Sequence, residues 1–161
     1  MDTKQFFVET WVDEMPRFEK VLKAIPKRNL KYRPDKKART ALELATLIAV
    51  EPVVLEEILK TGKYDFSKWP KKSFSSGSAA AAAFKKGAAG LKNLAAEMGD
   101  ADWQAEAVLT GAGQPWRVPR GNMAWGFLLD LIHHRGQLST YLRPMGGKVP
   151  AIYGPSADSQ G

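Results

Sequence analysis

The sequence of 161 residues contains no cysteine and only two histidines, His133 and His134. The absence of cysteine excludes disulfide bonds, thiolate nucleophiles, cysteine-ligated zinc and iron–sulfur clusters. Any metal site must therefore be built from histidine, aspartate and glutamate side chains. The two adjacent histidines are the only imidazole ligands that this chain can offer.

Long apolar runs are also absent. No stretch approaches the ~18 apolar residues of a membrane span, and the N-terminal sequence MDTKQFF lacks the apolar region of a signal peptide. Hydrophobic residues make up 44% and charged residues 25% of the chain, which is typical of soluble globular proteins and excludes fibrous and disordered classes. We therefore expect a single cytoplasmic domain over residues 1–161.

The net charge of +7 is unevenly distributed. Residues 17–39 contain ten basic and two acidic side chains, a local excess of eight positive charges. Such a stretch attracts phosphates, nucleic acids or anionic cofactors, but it is equally typical of a solvated helix face and linker. Tyr32 is the one aromatic residue that interleaves with the charge, whereas nucleic-acid binding surfaces use several.

Apolar residues recur every three or four positions in four segments, the period of an amphipathic helix face. The segments are residues 7–25, 40–60, 78–98 and 122–142. Thr40 and Glu43 predict a capping box at the start of the second helix, and Pro16 and Pro52 predict kinks in the first and second.

The connections between these segments vary in length. Residues 61–77 predict a long connection, residues 100–120 a loop without regular structure, and residues 146–161 an irregular tail. Gly87 and Gly90 inside the third helix indicate either a close neighbouring backbone or plain tolerance of glycine. We expect an all-α protein, a four-helix up-down bundle in which function lies on facing helices.

Asp130 and His134 are four residues apart on the last helix, so their side chains share one face. This spacing suits two ligands of Zn, Ni, Mn or Fe(II), with a third ligand from another helix, and suits a simple hydrogen bond or ion pair equally well. His133 lies about 100° around the helix and points elsewhere. Arg135 and Gln137 are expected either to support the ligands or to be surface and packing residues.

Two stretches of the chain resemble the DinB-like family, and the resemblance extends over nearly the whole chain. The C-terminal stretch is HHRGQLSTYLR (133–143) followed by KVPAIYGPSAD (148–158). The earlier stretch is AIP (24–26), Leu30, YRP (32–34), RTALELA (39–45) and IA (48–49). The resemblance implies an up-down four-helix bundle with a long crossover, often a homodimer.

The resemblance also implies a metal site. Metal-binding members resemble one another in a histidine triad, with one histidine on helix two and two on helix four. In this chain His134 matches one helix-four ligand, Asp130 replaces the other, and Leu47 stands where the helix-two histidine would fall. Glu43 and Glu51 lie one turn on either side of Leu47. The predicted metal ligands are therefore Asp130, His134 and Glu51, a degenerate version of the family site.

Three functions follow from these observations. The first is a bundle that binds a small molecule or a partner without catalysis, with a degenerate metal site. The second is a metal-dependent thiol transferase or hydrolase, because characterised members of the family include thiol transferases and a thiol-dependent isomerase. The third is nucleic-acid binding through the basic residues 17–39.

Overall fold

Four long helices dominate the computed structural model, which describes residues 2–160. They are α1 (Thr3–Lys23), α2 (Ala41–Thr61), α3 (Gly77–Glu97) and α5 (Arg120–Leu142), with the short helix α4 (Asp100–Gln104) between α3 and α5. Helices α1 and α2 each contact both α3 and α5, and all four contribute to one hydrophobic core. None of the helices within residues 2–160 combines the length and the apolar character that a bilayer crossing requires.

The helix starts follow the capping residues. The Thr40 hydroxyl accepts a hydrogen bond from the Glu43 backbone amide (3.2 Å), and the Glu43 carboxylate accepts one from the Thr40 amide (2.6 Å), which confirms the predicted capping box. Ser76 caps α3 in the same way through the amide of Ala79. The last helix begins at Arg120, two residues before the predicted segment 122–142.

Helices α2 and α3 approach each other closely at Gly87. A Cβ atom at this position would lie 2.9 Å from Cγ2 of Val53 and 3.5 Å from Cβ of Pro52. A side chain here would require Val53 to shift, so the close neighbour of Gly87 is a side chain of α2, while the nearest backbone atom, N of Val53, would lie 3.7 Å away.

The all-α prediction is wrong in one respect, because the structure also contains a small three-stranded sheet. Its strands are β1 (Lys63–Asp65), β2 (Glu106–Thr110) and β3 (Trp116–Pro119). The central strand β2 pairs in parallel with β1 and antiparallel with β3. The sheet lies in the two segments that were expected to be a plain connection (61–77) and an unstructured loop (100–120).

The sheet could not be predicted from the sequence because its strands are very short. Strand β2 buries Ala107 and Leu109 and exposes Glu106 and Thr110, an alternation that spans only five residues. Strand β1 has three residues, too few to show a period, and it pairs with β2 across more than forty residues of sequence. A fragment this short is stabilised by tertiary contacts rather than by its own sequence preference.

Backbone hydrogen bonds attach the sheet to the ends of α2 and α5. The amide of Val108 donates to the carbonyl of Gly62 (2.8 Å), which ends α2 in the left-handed conformation with φ of 67°. The amide of Arg120 donates to the carbonyl of Ala105 (2.9 Å), and the Arg120 guanidinium donates to the carbonyl of Leu59 (3.1 Å). The segments around the strands are thus held beside α2 and the first half of α5.

The C-terminal segment after α5 contains turns and an isolated bridge between Ser156 and Ser159. The Asp158 carboxylate accepts hydrogen bonds from the Val149 amide and from Nε of Arg143, both at 2.9 Å. These hydrogen bonds lower the pKa of Asp158. The segment is therefore folded back against the end of α5.

Candidate metal centre

Helices α2 and α5 bring together the three residues that were predicted as metal ligands. Glu51 lies in the middle of α2, and Asp130 and His134 lie one turn apart on α5. One ligand atom from each residue lies within 4.8 Å of the corresponding atoms of the other two. Their binding of a metal stays a prediction, but the third ligand that the α5 pair requires is in reach.

The imidazole of His134 is held by a residue on its own helix. Its Nδ1 lies 2.9 Å from Oε1 of Gln137, an oxygen that accepts a hydrogen bond when Nδ1 carries the proton. In that tautomer Nε2, which lies 3.2 Å from Oδ2 of Asp130, offers its lone pair to a metal ion. Gln137 therefore supports the candidate ligand, which is the first of the two roles considered for it.

Glu51 is buried, with only 2% of its surface exposed, and its Oε2 has no hydrogen-bond partner among the described residues. Burial, followed by the charge and proximity of Asp130, raises the pKa of Glu51 to about 9, against a small opposite effect of the Arg39 charge. An unpaired carboxylate in such a place is unfavourable unless a proton or a cation neutralises it.

The donor set fits a divalent cation. Two carboxyl groups and an imidazole nitrogen face one another, and each offers a ligand atom once Glu51 has released its proton. Two oxygens and one nitrogen form a set that suits Mn, Fe(II), Ni or Zn. Three protein ligands leave further coordination positions for water or a ligand.

A cavity of about 530 Å³ adjoins these residues. Its polar lining consists of Glu51, Asp130, His134 and Arg39. Its apolar lining comes from α2, α5 and the segments around the sheet: Leu47, Phe66, Trp69, Trp116, Met123, Gly126 and Phe127. The cavity is thus a mixed pocket of the size that small organic ligands occupy.

The two candidate ligands on α5 differ in exposure. His134 is buried, with 8% of its surface exposed, whereas 56% of the Asp130 side chain is exposed. Both face α2, as the metal hypothesis requires, but Asp130 lies at the solvent edge of the site. The neighbouring His133 is exposed, in agreement with its position around the helix.

Leu47 and Glu43, the other two positions considered on α2, do not supply a metal ligand. Leu47 lines the cavity one turn before Glu51, but its side chain has no ligand atom. Glu43 is engaged in the capping box with Thr40, whose hydrogen bonds lower its pKa, and it does not belong to the group of three. Of the two glutamates that flank Leu47, only Glu51 reaches the site.

Most of the cavity-lining residues that the sequence did not predict lie in segments 61–77 and 100–120, which were expected to lack strands. Phe66 and Trp69 follow β1, and Trp116 begins β3. A local signal existed in the aromatic residues of two connecting segments, 61–77, which is rich in lysine and serine, and 100–120, which contains two glycines and two prolines. Arg39 was counted only as one charge of the basic stretch.

A second polar cluster lies on another face of α5. Arg135 is 2% exposed, and its guanidinium bonds to the carboxylate of Glu14 on α1 and to the Tyr153 hydroxyl. The Tyr153 hydroxyl also donates to Glu14 (3.0 Å), and the guanidinium lies 4.6 Å from the centre of the Phe18 ring. Of the roles considered for Arg135, packing is the one observed.

Comparison with known proteins assigns the family. The DinB family model matches residues 1–160, so this chain belongs to the DinB family, which confirms the resemblance seen in the sequence. A DinB-like protein of Bacillus subtilis is similar in structure, with a TM-score of 0.70, 19% identity, and coverage of 88% of this chain and 93% of that chain. A DinB-like protein of Bacillus cereus ATCC 10987 has a TM-score of 0.73, 20% identity, and coverage of 91% and 95%.

At these identities the two structures support the fold, not the chemistry. A search of functionally curated proteins finds no match to this chain. Its activity must therefore be argued from its own residues.

Proposed function

We propose that this protein binds a divalent metal ion through Glu51, Asp130 and His134 and uses the ion to hold a small molecule in the adjoining cavity. The observation that carries the proposal is the convergence within 4.8 Å of two carboxyl groups and an imidazole nitrogen, together with a buried Oε2 of Glu51 that has no hydrogen-bond partner among the described residues. A divalent cation would replace the proton that Glu51 otherwise keeps.

The bound ion would supply a Lewis acid with open coordination positions that face the cavity. The protein's own contribution is to orient the ligands: Gln137 fixes the imidazole of His134, and burial holds the Glu51 carboxylate in an apolar wall. The site is degenerate with respect to the family pattern because Leu47 offers no ligand.

The metal content of protein purified without chelators tests this proposal. We expect the wild type to bind about one Zn, Mn, Ni or Fe ion per chain and the His134→Ala variant to lose affinity by at least tenfold, because a ligand is removed. His133→Ala is the matched control, since it removes the exposed neighbouring imidazole, and it should bind like the wild type. Equal metal content in His134→Ala and His133→Ala would refute the proposal.

Restoring the missing histidine should strengthen the site. Leu47 lines the cavity one turn before Glu51, so Leu47→His adds an imidazole to the three existing ligands. We expect the affinity for Zn to rise by about tenfold or more, measured by competition with a chromophoric chelator. Leu47→Asn is the control for polarity alone. No gain in Leu47→His over Leu47→Asn would contradict the predicted position of the ion.

A metal-dependent thiol transferase or hydrolase is the second candidate function. It uses the same three ligands, and the observation that favours it is the cavity of about 530 Å³, which has room for a substrate beside the ion. Turnover of a thiol and an electrophile that requires added metal and is lost in His134→Ala would establish it. Binding that stabilises the protein without turnover supports the non-catalytic function.

Nucleic-acid binding through residues 17–39 finds little support. Tyr32, the aromatic residue that interleaves with the charge of this region, packs edge-on against Tyr141 with ring centres 5.6 Å apart. Arg17 pairs with Glu14 and Lys23 pairs with Glu19. The remaining basic side chains of this region form a solvated surface. Nucleic-acid binding by such a surface is expected to be lost at moderate salt concentration.

We also infer from the family that the four long helices form an up-down bundle with a long crossover and that the protein is a cytoplasmic homodimer. The order of helix contacts, α1 to α3 to α2 to α5, supports the bundle. Sedimentation equilibrium tests the dimer, and a mass of one chain would exclude it.

A further inference from the structure

The cavity beside the metal centre contains one side chain with a permanent positive charge, Arg39. Arg39 is exposed and therefore lies at the rim of the cavity. Within residues 2–160 its guanidinium forms no ion pair with a carboxylate. A guanidinium without a partner at the edge of a ligand pocket is suited to bind an anionic group of that ligand.

The backbone around Arg39 is fixed, although its side chain has no carboxylate partner. The carbonyl of Arg39 accepts a hydrogen bond from the Tyr141 hydroxyl (3.3 Å), and the next residue, Thr40, is held in the capping box with Glu43. The position of Arg39 relative to α2 and α5 is thus set by both helices. A side chain on an anchored backbone loses less freedom when a ligand binds.

The charge of the cavity points to an anion of one charge. When a divalent ion is bound, it balances the carboxylates of Glu51 and Asp130, and Arg39 leaves the cavity with one net positive charge. The bound ion and an anionic ligand attract each other, so each should increase the affinity for the other.

The rest of the cavity wall is apolar and mostly aromatic. Phe66 and Trp69 stack at a centre distance of 6.3 Å with planes 18° apart, and Phe127 and Met123 lie on α5. Trp116 is 52% exposed, so much of its indole ring is accessible at the cavity. These side chains suit an apolar body attached to the anionic group.

We propose that the ligand of this site is a small organic monoanion, a carboxylate with an aromatic or aliphatic body, whose carboxylate is bound by Arg39 while its body lies against Phe66, Trp69 and Trp116. This inference rests on the proposed function, because it takes the cavity beside the metal as the ligand site. It adds the class of ligand and the residue that selects it.

The test compares two probes of equal shape, 4-phenylbutyrate and 4-phenylbutan-1-ol, by isothermal titration calorimetry with zinc-loaded protein. The wild type should bind the acid about tenfold more tightly than the alcohol, because the guanidinium pairs only with the carboxylate. Arg39→Gln should lose this preference and keep its affinity for the alcohol. Arg33→Gln is the matched control, since it removes an exposed arginine of the same basic segment that does not line this cavity.

Zinc content, measured on the same samples, separates this inference from the proposed function. Arg39 is not a ligand, so Arg39→Gln should hold as much zinc as the wild type. A preference for the acid that survives in Arg39→Gln would mean that the metal alone binds the carboxylate, and it would overturn the proposal. Equal loss in Arg33→Gln, or no binding of either probe to the zinc-loaded wild type, would also overturn it. Failure of the wild type to retain zinc would refute the proposed function instead, while an Arg39-dependent preference for the acid in that protein would still support the anion site.

Discussion

Replacing Glu51 with glutamine is expected to stabilise the metal-free protein at neutral pH and to abolish its stabilisation by metal. Glu51 is buried, and its Oε2 has no partner among the described residues, so the carboxyl group favours the neutral form in the folded state. Glutamine has the same shape and never ionises. We expect the free energy of unfolding of the metal-free protein to rise by about 1–3 kcal/mol near pH 7.

The raised pKa of Glu51 determines how the stability of the wild type changes with pH. The pKa of Glu51 is about 9 in the folded protein and near 4.5 in the unfolded chain. Between these values the folded state holds a proton that the unfolded state has released, so the stability of the wild type falls as the pH rises through this window. The Glu51→Gln variant lacks this decline, and its advantage over the wild type should grow from about pH 5 to about pH 8.

Urea unfolding with a chelator present, and then with zinc added, measures both effects. Glu57→Gln is the matched control, because Glu57 is an exposed glutamate on the same helix. It should change neither the stability profile nor the response to zinc. If Glu51→Gln destabilised the metal-free protein, the carboxylate would have a partner that the structure does not contain, and the argument for a cation site would lose its main support.

Local sequence patterns predicted the residues whose roles depend on one helix. The Thr40 and Glu43 capping box requires a spacing of three, and the shared face of Asp130 and His134 requires a spacing of four, so both could be read directly from the chain. Glu51 needed more than a pattern. Its proximity to α5 followed only from the family resemblance, which placed a ligand on helix two near Leu47.

The cavity wall could not be predicted because it depends on contacts between distant segments. Trp116 and Phe66 are positioned by a sheet whose strands have three to five residues, and β1 pairs with β2 across α3 and α4. No local period identifies such strands. Arg39 was visible as a charge, but its place beside the metal ligands follows from the packing of α2 against α5.

Arg135 illustrates the same limit on another face of α5. An arginine next to His134 in a polar helical sequence is typical of a solvated surface, yet it is among the largest fully buried side chains. Its partners Glu14 and Tyr153 are 121 and 18 residues away in sequence. One residue of α5 faces the cavity and the next joins α1 to the C-terminal segment, so the two should have separable functions.

The variant Arg135→Met is expected to lower the free energy of unfolding by about 3 kcal/mol without changing the metal content of the folded protein. Methionine keeps the apolar contact with Phe18 but leaves the Glu14 carboxylate buried with only Arg17 and Tyr153 as partners. The destabilisation comes from the buried Glu14 carboxylate, which has lost the guanidinium of Arg135. The double variant Glu14→Gln with Arg135→Met should therefore recover much of the lost free energy of unfolding.

Urea unfolding of the two single variants and the double variant measures the coupling. Arg143→Met, at the C-terminal cap of α5, is the control, because its ion pair with Asp158 is exposed and its loss should change stability little. A double variant as unstable as Arg135→Met would show that the ion pair is not the source of the loss. Parallel loss of zinc in Arg135→Met would show that this cluster fixes the rotation of α5, on which the position of His134 depends, and would contradict the separation of the two faces.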